Sequence, residues 1–157
     1  MKFLKPTNLI LALMLSASPL CCQADVQAGD LFPSPTANGV AGNLPKTEGK
    51  VVLYDFWASW CAPCRAAMPA YETLYQKYHK QGFEIIAVGT DEDAGAAKTF
   101  ISGLKLSFPV VVDTKQKFVA LVAPGTMPTA YLVGKNNKVL SVHPGFHGAK
   151  SLSLIHI

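Results

Sequence analysis

Charge is scarce in this chain. Only 15% of its 157 residues are Asp, Glu, Lys or Arg, and Arg65 is the single arginine. The formal net charge is +4 and the basic residues are scattered, so the dense cationic surface that nucleic acid requires is excluded. Four cysteines are too few for a stapled mini-protein. The one C-x-x-C pair, Cys61 and Cys64, has no second C-x-x-C to complete a tetrahedral zinc site, and the one H-x-x-x-H spacing, His143 to His147, is broken by Pro and Gly. His79, His143 and His147 stand apart, and Pro144-Gly145 between the last two disfavours a helical metal clip. No resident metal or cofactor is expected, and the histidines are expected at the surface. There is no internal repeat.

The two ends of the chain differ from its middle. Lys2 and Lys5 precede an apolar run over 9–15 that is too short to span a bilayer as a stable helix, and Ser16 to Pro19 are small or turn-forming. This pattern predicts a secretory signal peptide over 1–24, cut after Ala24, which would remove Cys21 and Cys22. Lipidation at either cysteine is the competing expectation, although neither has the preceding small and branched residues that such a site uses. Both place the folded part on the side of the membrane where disulfides persist. Residues 25–50 read as an irregular lead-in with a short hairpin at Asn38-Gly39, and 51–157 as one domain. The final stretch, 151–157, has no charge and no cap, and reads as a foreign tail in which His156 means nothing.

Between the ends, apolar strands alternate with helical patterns. Residues 51–57 (VVLYDFW) and 83–90 are β-branched and aromatic runs, apolar on both faces, as central parallel strands are. Residues 65–80 carry Met68, Tyr71, Leu74, Tyr75 and Tyr78 at helical spacing; Pro69 lies inside and Gly82 stops the helix. A second helix is predicted over 94–104, a short strand over 108–112, a short helix over 114–122 and a closing hairpin over 129–143. The order predicts an α/β three-layer sandwich around a mixed sheet, with the helix that should follow residue 146 cut short.

The chemistry sits where the first strand meets the first helix. Two thiols at i and i+3 of a helix start can close a small disulfide ring. The first faces unpaired backbone N–H groups and the positive end of the helix dipole, which favour the thiolate. Cys61 is therefore the candidate nucleophile at an exposed helix start, and Cys64, one turn in, the candidate resolving thiol. Pro63 fits an early helix position. Trp60 reads either as an apolar docking surface beside the nucleophile or as a core aromatic, and Trp57 as core. Strand alternation turns Asp55 inward beneath the helix. Burial there raises its proton affinity, so it could accept the Cys64 proton as a general base, or else be a structural acid.

The run D-F-W-A-x-W-C-x-P-C, with Pro69 five residues after the second cysteine and Met127-Pro128-Thr129 before a late strand, resembles the thioredoxin superfamily. The A-G-D-x-F-P lead-in and Asp91-Glu92-Asp93 resemble its extracytoplasmic TlpA/ResA/DsbE-like branch, over about residues 29–145. The resemblance implies a redox-active Cys61–Cys64 disulfide and a buried acid at Asp55, where many TlpA-like proteins are neutral. It also implies an acidic residue near the site at Glu92, and a cis-proline at Pro128 facing the cysteines. Met127 before it would then offer its backbone to a client strand. The pair between the thiols, Ala62 and Pro63, would tune the potential.

These readings predict a periplasmic thiol–disulfide reductase that takes no nucleic-acid partner. The resemblance implies oxidised protein clients, including those of cytochrome c or metal-centre maturation, a membrane thiol donor of the DsbD/CcdA kind, and a monomer. The alternatives are a disulfide oxidase or isomerase on the same fold, or a non-enzymatic redox or copper-binding module; two intact cysteines disfavour the last.

Overall fold

A computed structural model of the chain describes residues 25–40 and 42–148. The expected signal peptide, the lipidation sites Cys21 and Cys22, the truncated closing helix beyond residue 148 and the tail with His156 lie outside the described residues.

Five strands form one sheet in the order β3-β2-β1-β4-β5. Strands β1 (Val51–Trp57), β2 (Phe83–Gly89) and β3 (Val110–Val112) run parallel, while β4 (Thr129–Val133) and β5 (Val139–Pro144) run antiparallel to their neighbours. Helices α1 (Ala62–Tyr78), α2 (Ala94–Ser102) and α3 (Lys117–Val122) complete the fold. Among the described residues, no helix is long and apolar enough to cross a membrane.

β1 is central because it is apolar on both faces. Leu53 and Trp57 pack with Ile85, Ala87, Ala130 and Leu132 against Ala67, Met68, Tyr71 and Tyr75 of α1 and Ala97 and Phe100 of α2. Val52, Tyr54 and Phe56 turn to the opposite face, against Phe118 and Val122 of α3 and Phe32 and Val40 of the lead-in. Two apolar layers over a mixed sheet are the predicted sandwich, and each large side chain so buried contributes about 1.5–3 kcal/mol.

Several boundaries moved for local reasons. α1 starts at Ala62, earlier than Arg65, because Cys61 caps it and Pro63 occupies its first turn. It ends at Tyr78 in a 3-10 turn, closed by Gly82 at φ 87°. β3 begins after Pro109, which has no N–H for the ladder, though the Pro109 carbonyl accepts from Ala87 N–H at 3.0 Å. α3 starts at Lys117 because Gln116 takes a left-handed conformation (φ 53°) and the Asp113 carboxylate accepts from the Phe118 and Val119 amides. The hairpin expected at Asn38-Gly39 is instead a 3-10 turn over Thr36–Asn38. Only Gly39 has positive φ there, whereas a two-residue hairpin of that type needs it at both positions. The lead-in is part of the core. Phe32 stacks on Tyr54 at 4.3 Å, and residues 29–32 bond to Asn137 and Val139.

Candidate active site

Cys61 is the N-cap of α1, and its Sγ accepts the Cys64 amide at 3.2 Å. A backbone N–H of the first turn is thus aimed at the sulfur, the arrangement that stabilises negative charge at a helix start. Cys61 and Cys64 are joined by a disulfide with their Cα atoms 5.3 Å apart. The expectation of an exposed Cys61 is corrected. It is 4% exposed, and Cys64 is fully buried. In this oxidised form the Cys61 sulfur is tied to Cys64 and the side chain packs in the α1–sheet cluster, so only an edge meets solvent.

Beneath α1, Asp55 is 0% exposed on the cysteine-facing side of β1, as strand alternation requires. Its cross-strand neighbours, Ala87 and Ala130, belong to the cluster that holds both cysteines. Neither carboxylate oxygen has a hydrogen-bond partner among the described residues. Burial pushes the carboxyl well above its ordinary range, and the neighbouring Tyr71 hydroxyl opposes this in part. Burial, and then the Asp55 charge, push the Tyr71 phenol up in turn. The pair can hold or release a proton under the helix, but it offers no cation to fix the charge.

Trp60 is 75% exposed, which decides between its two readings: it is a surface indole beside the disulfide. Trp57 is core, stacked on Phe100 at 4.9 Å, and the Arg65 guanidinium lies 4.4 Å from the centre of the Phe100 ring. Pro63 sits in the first turn of α1. The Met127–Pro128 peptide bond is cis, and Met127 packs against the cysteine-bearing cluster. Trp60, Glu92, Gln116 and Met127 border a groove of about 450 Å³ with Thr90, Asp91 and Val119. Glu92 is exposed there and accepts from Gln116 Nε2 at 3.4 Å. Neither this groove nor the hollow at the far end of the sheet, bordered by Lys50, Tyr54 and Asn137, is lined by a cysteine.

One expectation about the histidines is corrected, at His143. His79 stacks on Tyr75 at 4.4 Å and its Nδ1 lies 3.8 Å from the buried Glu84, whose carboxylate pairs with Lys50 at 2.8 Å. His143 is half-buried, shares a 2.7 Å hydrogen bond with Ser141, and burial pushes its pKa down. His79 keeps 41% of its side chain exposed in the turn after α1, whereas His143 is half-buried on the edge strand β5. No group of three or more potential metal ligands occurs among the described residues.

Sequence reasoning missed Asp91 and Ser59. Asp91 is 7% exposed, and its carboxylate accepts the Ser59 amide at 2.9 and 3.3 Å and the Ser59 hydroxyl at 2.5 Å. An acid directly after an apolar strand was the available signal, but its partner lies 32 residues away.

The redoxin family model matches residues 27–151. Thiol-disulfide oxidoreductase ResA of Bacillus thuringiensis (strain Al Hakam) is 41% identical over 118 residues, covering 73% of this chain and 68% of that protein. A structure assigned as the thiol:disulfide interchange protein DsbE of Chlorobium tepidum superposes with a TM-score of 0.76 at 35% identity, covering 83% of this chain and 94% of that one. A thiol-disulfide oxidoreductase of Bacteroides fragilis NCTC 9343 gives 0.61 at 27% identity over 71% and 82% of the two chains.

Proposed function

The chain belongs to the redoxin family as a ResA- and DsbE-like thiol–disulfide oxidoreductase of the thioredoxin superfamily, and on that premise we propose that it reduces client disulfides in the periplasm. The observation that carries this reading is the Cys61–Cys64 disulfide, capped by a helix amide and lying over a buried carboxylate without a partner.

In this reading the reduced protein attacks first. The Cys61 thiolate displaces one sulfur of the client disulfide, forming a mixed disulfide and releasing a client thiolate, which takes up a proton. Cys64 gives its proton to Asp55 and attacks Cys61 Sγ. The Cys61–Cys64 bond forms as the Cys61–client bond breaks, the second client thiolate takes the proton from Asp55, and the client leaves as a dithiol carrying two more electrons. Glu92 is the second acid, at the groove. Trp60 and Met127 hold the client segment, with Pro63 and Pro128 shaping the ends of the loops that carry them. The domain from residue 25 onward works as a monomer after signal-peptide removal, and a membrane thiol donor of the DsbD/CcdA kind restores the dithiol. Haem-site or metal-centre cysteines of exported proteins are the proposed clients.

The test is Cys64→Ala, which removes the resolving thiol. The folded variant should accumulate mixed disulfides through Cys61 when expressed in its own compartment, and thiol blocking of the wild type should find the pair mostly reduced. A folded variant that traps nothing would overturn the reading. A pair found mostly oxidised would replace the reductase with an oxidase.

A further inference from the structure

We propose that Asp91 is a positioning residue for client binding: through Ser59 it fixes the turn that carries Trp60, and so sets the wall of the groove beside the disulfide. This rests on the reductase reading above.

The groove is assembled from loops that share no sequence neighbourhood. Trp60 comes from the β1–α1 turn, Glu92 from the loop after β2, Gln116 from the loop after β3, and Met127 from the loop before β4. Residues 90–92 tie all of them together. Thr90 donates to the Trp57 carbonyl from its amide at 2.9 Å and from its hydroxyl at 3.2 Å. The same hydroxyl lies 3.8 Å from Met127 Sδ. Gln116 Nε2 reaches the Thr90 carbonyl at 3.2 Å and Glu92 at 3.4 Å. Between them, Asp91 spends both carboxylate oxygens on Ser59.

That use of a carboxylate is specific. Charge-assisted hydrogen bonds are the strong ones, and a buried acid with a single residue as its partner fixes that residue's backbone and hydroxyl together. The residue so fixed is the one before Trp60, whose indole is exposed and belongs to neither core cluster. An exposed indole on a loose turn must be ordered each time a client docks. One on a clamped turn is already ordered, and binding is tighter by that difference. A small disulfide, which touches only the sulfurs, gains nothing from the clamp.

The experiment compares Asp91→Ala, Ser59→Ala and Ser59→Thr with wild type. Dithiothreitol supplies electrons, insulin is the protein disulfide, and the aliphatic bis(2-hydroxyethyl) disulfide is the small one, with the uncatalysed rate subtracted for each. Thermal melts report folding. Ser59→Ala and Asp91→Ala should raise KM for insulin about two- to tenfold with a smaller change in kcat, the ratio matching the ordering of one interface side chain. KM for the small disulfide should change less, and Ser59→Thr, which keeps the hydroxyl, should stay near wild type. Equal effects on both substrates, or an unchanged insulin KM in folded variants, overturn the proposal. Should Asp91→Ala fail to fold, Ser59→Ala decides by the same comparison. Failure of wild type to reduce either disulfide would instead overturn the reductase reading.

Discussion

Replacing Asp55 with alanine is expected to make the oxidised protein more stable and the enzyme slower. The carboxylate is fully buried, and both oxygens lack a hydrogen-bond partner among the described residues. A buried polar group left without a partner costs about 1–3 kcal/mol. Removing it leaves a small cavity between Ala87 and Ala130, and at about 24 cal/mol per Å³ a carboxyl-sized void of roughly 25–30 Å³ returns about 0.6–0.7 kcal/mol of that gain. The net stabilisation is about 0.3–2.4 kcal/mol, or about 1–10 °C in melting temperature for a domain of this size.

The pH dependence separates this from ordinary repacking. Burial raises the folded carboxyl above its unfolded value. Such a group gives its full stability below the unfolded pKa, near 4, and loses it as pH rises through the window up to the folded pKa. The wild type therefore weakens across that window and the variant does not, so the gap between them widens from pH 4 upward and then levels off. Calorimetric melts of the oxidised proteins at a series of pH values measure it. Loss of the general base should meanwhile slow client release by about 10²-fold or more, and remove the rise of that step with pH that Asp55 deprotonation gives wild type. A variant less stable than wild type at pH 8, or a gap that does not change with pH, would refute the reasoning and make Asp55 a structural acid.

Two further substitutions test the frame around the site. A Cβ at Gly89 would stand 2.8 Å from Trp57 Cζ2, and Trp57 is locked against Phe100, so Gly89→Ala should lose about 1–3 kcal/mol in urea unfolding. Lys50→Ala strands the buried Glu84 carboxylate and should cost toward the low end of about 3–5 kcal/mol, since the ammonium is partly open to water; Lys50→Met with Glu84→Leu should recover most of it in the same assay.

Much of the fold was legible locally. β1 and β4 have the bounds their apolar runs predict, and the aromatic spacing of α1 gives its buried face. What was missed depends on contacts far apart in sequence. Gln116 adopts a left-handed backbone that its residue type does not announce, which delays α3. Phe32 looks like a loop residue until Tyr54 and Tyr131 surround it. The C-x-x-C and the inward Asp55 were readable because both follow from periodicity along one strand and one helix. The exposure of Cys61 was misjudged because ring closure and packing set it, not position in the helix.

The sequence by itself determined the parts whose causes are local: which segments are strands, which face of the first helix is buried, and that two thiols share its opening turn. Only the tertiary structure decided how the site is framed. It surrounded Asp55 with alanines and left it without a partner, turned Trp60 out to solvent, and brought Asp91 onto Ser59. Desolvation and hydrogen-bond pairing depend on what the folded chain brings within a few ångströms, and for these residues that neighbour lies tens of positions away in sequence.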